Sequence, residues 1–186
     1  MFRSIFATAI LCLALMGAPG LLHAGDPMPF TARAGLALAR DAARAWAEDA
    51  RLIYVENDEE VAADGTAVRW GYLFHSQRVG QARGYTLRGG KILEASDLEF
   101  EFEPPPLPGE WIDSDRARVV AEKKAGQKYA REHRGRLSTM MLIRGAFYED
   151  KPDATTWVLL YTSSGHPALH VVVDAARGKV VKMWRG

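Results

Sequence analysis

The chain has 186 residues, and its 24 basic and 23 acidic side chains nearly cancel to a formal net charge of +1. This balance argues against a nucleic-acid-binding protein, which would present a sustained basic face. Its only cysteine, Cys12, lies in an N-terminal apolar run, so the rest of the chain offers neither a disulfide nor thiol chemistry.

The first 24 residues are typical of a signal peptide. Arg3 provides a positive charge, Ile5–Met16 is apolar, and Leu22-His-Ala24 is a suitable cleavage site. The alternative is a retained membrane anchor, but the run is shorter than the roughly 20 residues that span a bilayer. We therefore expect an exported protein, periplasmic or secreted, without stable membrane insertion after cleavage.

The first half predicts one helix followed by strands. Small and apolar residues recur every three or four positions from Thr31 to about Asp49, which is the helical period. β-branched and aromatic residues then predict strands over 52–55, 68–75, 84–87 and 91–95. Residues 98–103 alternate strictly, so an edge strand is expected with Leu98, Phe100 and Phe102 facing the core and Glu99, Glu101 and Glu103 facing water.

The second half repeats this order after a proline-rich connector, Pro104–Gly109. A helix is predicted from an Asp113 or Ser114 cap to about His133, with Gly135 as the stop. Strands are expected over 137–143, 157–161, 169–174 and 180–184. Charge is unevenly divided, with 14 acidic and 9 basic residues over 26–103 and 9 acidic and 14 basic residues over 104–186.

The two halves share a spacing that suggests duplication. Trp70 precedes Lys91 by 21 positions, and Trp157 precedes Lys179 by 22. We therefore predict an α+β fold made of two tandem helix-plus-antiparallel-sheet units, with the helices packed on one face of the sheet. The units would span 30–103 and 111–186, joined by a linker at 104–110.

Residues 113–184 resemble the PepSY-like family of exported bacterial domains. The resemblance rests on the alanine- and lysine-rich helix Arg116–Arg131, the strand containing Trp157, and the stretch Val171-Val-Val-Asp-Ala-Ala-Arg-Gly-Lys-Val180. It implies an antiparallel sheet with a helix across one face. Two such units in tandem are similar to the exported β-lactamase inhibitor proteins, in which the bare side of the sheet grips a protein. The resemblance thus implies a protein partner and a link to extracytoplasmic peptidases.

Aromatic residues are the candidate binding residues. Trp70, Tyr72 and Phe74 share one face of a strand, and Trp157 and Tyr161 share a face of another. An alanine-lined helix is expected to pack on the smaller side, which would leave these residues free to bind a protein. The alternative is that the aromatic face is the helix-covered core.

No catalytic constellation is recognisable. The histidines outside the signal peptide, His75, His133, His166 and His170, lack the usual metal-ligand spacing, and no serine has a nucleophile-elbow setting. We predict no metal, no cofactor and no enzymatic activity. The expected role is binding a protein in the envelope or outside the cell, for example as an inhibitor or modulator of an extracytoplasmic enzyme. The alternatives are a small-molecule or lipid carrier, or a hydrolase that depends on His75 or His170.

Overall fold

A computed structural model describes residues 27–99 and 104–186, so the predicted signal peptide lies outside the described residues. The described chain forms eight strands and a set of helices. The strands are β1 Arg51–Asn57, β2 Arg69–Ser76, β3 Gln81–Arg88, β4 Lys91–Leu98, β5 Arg136–Arg144, β6 Thr155–Ser163, β7 His166–Asp174 and β8 Lys179–Arg185. The helices are α1 Leu36–Trp46, α2 Ser114–Ala121, a π-helical turn Glu122–Gly126, and α3 Gln127–His133.

All eight strands belong to one antiparallel sheet, in the order β4-β3-β2-β1-β5-β6-β7-β8. The prediction of two tandem helix-plus-sheet units is therefore wrong. Strand β1 pairs with β5 through Tyr54–Ile143, Val55–Leu142 and Glu56–Met141, which makes the sheet continuous. An unpaired β1 would leave backbone N–H and C=O groups exposed at a sheet edge, and the pairing with β5 satisfies them.

A buried asparagine extends this central junction. The Asn57 Oδ1 atom accepts a hydrogen bond from the Met140 backbone N–H at 2.5 Å. Its Nδ2 group donates to the Ser138 carbonyl at 3.1 Å and the Glu59 carbonyl at 2.6 Å. One side chain on β1 thereby satisfies backbone groups of β5 beyond the last paired residues.

The proline-rich linker crosses the sheet at the other end of the β1–β5 pairing. Pro104 and Pro105 line a pocket on the side of the sheet without helices, whereas Leu107 and Trp111 belong to the core between sheet and helices. The Leu107 N–H donates to the Leu52 carbonyl at 2.7 Å, which fixes the crossing. The linker therefore delivers α2 to the same side of the sheet as α1.

The local predictions are largely confirmed. Each predicted strand outside residues 99–103 is present, with bounds that differ by no more than three residues at either end. The first helix begins later than predicted, at Leu36, because Thr31–Gly35 forms turns. The second runs from its Asp113 cap to His133 as predicted, but its interior contains the π-helical turn, and Arg134 takes the left-handed conformation (φ 51°).

The expected edge strand at 98–103 is wrong at its start. Leu98 ends β4 and is 42% exposed, so it does not face the core. Glu99 is also exposed, and the remaining residues of that prediction, Phe100–Glu103, lie outside the described residues. Within the described ranges, no helix is both long enough and apolar enough to cross a membrane.

Candidate binding surface

The helices cover one face of the sheet, here called the covered face, and the candidate aromatic residues lie on it. Trp70, Tyr72, Phe74, Trp157 and Tyr161 are each 0 or 1% exposed. They belong to the core cluster that also contains the alanine faces of the helices. In this fold, none of the five is accessible to a partner. Their position agrees with the alternative interpretation, in which the aromatic face is the helix-covered core.

Hydrogen bonds fix these side chains in the core. Trp70 Nε1 donates to the Phe30 carbonyl at 2.8 Å, and Trp157 Nε1 donates to the Ile112 carbonyl at 2.7 Å. The two indole rings meet edge to face, 6.3 Å apart. A buried indole N–H requires a partner, and each tryptophan finds it in the segment that leads into a helix.

Small residues on the helices explain why the aromatic side is the covered one. A Cβ atom on Gly126 would lie 2.5 Å from the Tyr161 hydroxyl, and one on Gly35 would lie 2.4 Å from the Tyr72 hydroxyl. Alanine and glycine let the helix backbone approach closely, so the sheet must supply the bulk that fills the core. From the sequence, the alanine-lined helix was expected to pack on the side of the sheet with the smaller residues. The structure shows the opposite, because the helix packs on the aromatic side.

The opposite side of the sheet, here called the open face, carries none of the helices formed by residues 27–99 and 104–186. At its centre, a pocket of ≈480 Å³ lies between β1, β2, β5 and the linker. Its lining is mainly apolar and includes Tyr54, Leu73, Ile143, Pro104 and Pro105. The pocket thus presents apolar surface at the junction of the two halves of the sheet.

A polar contact borders this pocket. The Tyr54 hydroxyl donates to the Glu56 carboxylate at 2.7 Å. Burial, together with this hydrogen bond and the negative charge of Glu56, raises the pKa of Tyr54. The phenol therefore stays protonated and can serve only as a neutral polar group at the pocket edge.

An aromatic stack occupies the β7–β8 end of the open face. The His170 and Trp184 rings lie parallel, 4.4 Å apart and at 6°. Phe147, in the loop between β5 and β6, also stacks on Trp184. Their ring centroids are 5.8 Å apart, and their planes meet at 20°. Phe147 is 42% exposed, so the stack reaches the surface. We call Phe147, Trp184 and His170 the aromatic stack.

The loop that carries Phe147 folds over the sheet. The Thr156 hydroxyl donates to the Ala146 carbonyl at 3.3 Å, and Lys182 forms an ion pair with Glu149. The hydrogen bond and charge of Lys182 hold the pKa of Glu149 below its usual value. These contacts attach the loop at both its start and its middle, so Phe147 is held in place from two sides.

Phe147 adopts a left-handed backbone conformation, with φ 64°. A residue other than glycine in this region costs on the order of 1–2 kcal/mol. Such strain persists where the surrounding structure enforces it, and it is concentrated at functional sites. Here the strained conformation directs a large apolar ring onto the open face.

Histidines of the described chain do not converge on a metal site. His170 belongs to the aromatic stack, and burial lowers its pKa. The His133 and His166 rings lie 4.4 Å apart with their planes tilted by 40°, at the far end of the helical segment. Among residues 27–99 and 104–186, no three His, Cys, Asp or Glu side chains form a group that could hold a metal ion.

Sequence reasoning missed the aromatic stack, although part of it had a signal. The Asp174 turn sets the pairing of β7 with β8, and that register places His170 opposite Trp184. Phe147 gave no signal, because it lies in a loop whose path depends on contacts with distant strands.

No protein-family model matches this chain, and no curated protein matches its sequence. Among solved structures, the fold is similar to that of a putative lipoprotein from Clostridium difficile 630. The TM-score is 0.58 at 12% sequence identity, and the alignment covers 82% of this chain and 93% of that one. At this identity, the similarity concerns the fold alone.

Proposed function

We propose that this chain is an exported, non-enzymatic protein of the cell envelope that binds another protein through its open face. The aromatic stack is the observation that carries the proposal. It combines a strained Phe147 with a partly exposed row of rings on the side of the sheet that the helices leave uncovered. Aromatic side chains on a rigid support supply much of the binding free energy in protein interfaces.

The envelope location has two supports. The first 24 residues have the pattern of a signal peptide, and the similar solved structure carries a lipoprotein name. An inhibitor or modulator of an extracytoplasmic enzyme is the specific role that we propose, following the resemblance of residues 113–184 to the PepSY-like family. The proposed interface differs from the sequence-based one, because it uses Phe147 and Trp184 in place of the buried tryptophans.

The test is capture of a protein by the chain without its predicted signal peptide, residues 25–186, from periplasmic and secreted fractions. The open-face variant is Phe147→Ser/Trp184→Ser. The control is Leu38→Ser/Val119→Ser, which removes two exposed apolar side chains on the helices (40% and 47% exposed). Both variants must first give the circular dichroism spectrum of the native chain.

We expect the open-face variant to lose a captured protein that the control retains. A partner lost only with the control would place the interface on the helices, and a partner retained by both variants would contradict a role for the aromatic stack. The captured protein should then form a stoichiometric complex when both components are purified.

The central pocket favours a second candidate function, the binding of a small apolar molecule or lipid. Its ≈480 Å³ and apolar lining are within the range of small-molecule sites. Native mass spectrometry of the purified chain would detect a bound ligand. Ile143→Trp, which fills the pocket, should abolish that binding, whereas the Phe147→Ser/Trp184→Ser variant should retain it. Loss in the second variant alone would contradict a ligand in this pocket.

A further inference from the structure

Four arginine side chains surround a groove between α1 and the proline-rich linker. Arg40 and Arg44 lie one turn apart on α1, Arg51 begins β1, and Arg144 ends β5. The groove has a volume of ≈370 Å³, and none of the described residues that line it is acidic. Three separate elements thus bring positive charge to one concave surface.

Within residues 27–99 and 104–186, these four arginines form no ion pair with a carboxylate. The guanidinium groups of Arg40, Arg44 and Arg51 make no hydrogen bond or ion pair with any residue in the ranges 27–99 and 104–186. Arg144 donates from Nε to the Asp153 carbonyl at 3.0 Å and from Nη1 to the Pro106 carbonyl at 3.1 Å. Those carbonyls orient the guanidinium but do not neutralise it, so none of the four positive charges is ion-paired within the described part of the chain.

Several other arginines have a carboxylate partner. Arg33 pairs with Glu110, Arg69 with Asp58, and Arg118 with Glu122. The groove therefore brings together four arginines that have no such partner among the described residues. A concave surface lined by one sign of charge focuses the electric field and raises the local concentration of the opposite ion.

The shape of the groove restricts the ligand. Leu52, Leu107 and Trp111 form an apolar floor beneath the guanidinium groups. A volume of ≈370 Å³ is at the low end of small-molecule sites, so the groove suits a compact ligand. Arginine presents a planar fork of N–H donors that matches the oxygens of carboxylate and phosphate groups.

We propose that this groove binds a compact, soluble polyanion that carries phosphate groups. A phosphate monoester has a charge of about −1.5 to −2 at neutral pH and three acceptor oxygens. Two such groups would balance the positive charge of the four arginines within the available volume. Two carboxylates would neutralise that charge less completely. The proposal is independent of the protein-binding role of the open face, because it uses other residues.

Isothermal titration of residues 25–186 with tripolyphosphate tests the proposal. The groove variant is Arg40→Gln/Arg44→Gln, and the control is Arg116→Gln/Arg131→Gln, which removes the same charge from exposed positions on the other helical segment. Each charge-assisted hydrogen bond contributes about tenfold to affinity, so the groove variant should bind about 100-fold more weakly. The control should change the affinity by less than about threefold. Arg51→Gln repeats the test from β1.

Three results would overturn the proposal. The native chain could fail to bind tripolyphosphate at low ionic strength, or both double variants could weaken binding equally, which would assign it to diffuse surface charge. Binding to phosphatidylglycerol vesicles without binding to tripolyphosphate would assign the groove to a membrane lipid. Thermal unfolding of each variant shows that the comparison concerns folded protein, and the exposed positions of the replaced arginines favour retention of the fold.

Discussion

Replacement of Gly126 by alanine should destabilise the protein, although alanine normally favours a helix. An added Cβ atom would lie 2.5 Å from both Cζ and the hydroxyl of Tyr161 and 2.7 Å from its Cε1. Non-bonded carbon atoms prefer separations of about 3.5–4.0 Å. The added Cβ atom would therefore lie about 1 Å or more closer to the Tyr161 ring than this preferred separation.

The tyrosine ring has no room to yield. Tyr161 is 0% exposed and packs edge to face against Tyr129, at a centroid distance of 6.4 Å. Overpacking of a core costs about 1–3 kcal/mol, and an overlap with a rigid ring places the cost near the upper end. Alanine offsets about 1 kcal/mol through its helix propensity. We expect a net loss of about 2 kcal/mol in the free energy of unfolding.

A loss of this size should lower Tm by roughly 4–8 °C for a chain of this length. Thermal unfolding followed by circular dichroism measures the shift. Gly109→Ala is the matched control, because a Cβ atom on Gly109 would meet nothing within 4 Å, and its Tm should be unchanged or slightly higher. A Gly126→Ala protein as stable as the native chain would refute the close packing of this helix against Tyr161.

Three further predictions concern buried polar groups, each measured by thermal or urea unfolding. Asn57→Ala should cost about 1–3 kcal/mol, because the Met140 N–H loses its buried acceptor; an unchanged stability would show that this N–H finds another partner. Asp174→Ala should cost about 1.5–3 kcal/mol, because its carboxylate accepts two turn N–H groups, each at 3.0 Å; Asp174→Asn should recover most of that loss. Burial lowers the pKa of His170 below its ordinary value of 6.5. Since protons then bind the unfolded state more readily, stability should fall as pH drops below 6.5, and less so in His170→Phe; equal pH profiles would contradict this.

Local signals in the sequence predicted the secondary structure well. Runs of β-forming residues marked the eight strands of the described chain, and the Asp174–Gly178 turn formed as expected, with Gly178 at φ 63°. These features depend on residues within a few positions of one another. Their hydrogen bonds and conformational preferences are therefore present in the sequence itself.

The failed predictions concern relations between distant segments. The sequence did not show that β1 pairs with β5, because any strand edge can accept several partners. It also did not show that Trp70 and Trp157 face the helices, since alternation separates two faces without stating which is covered. That choice follows from how much volume the alanine-lined helices leave to be filled.

The sequence by itself determined where the helices, strands and turns of this protein lie. Only the tertiary structure decided which sheet face is covered, that Phe147 stacks on Trp184, and that Arg40 and Arg144 border one groove. The physical reason is distance along the chain. Local conformation is set by nearby residues, whereas burial and charge clustering depend on which distant segments the packed core brings together.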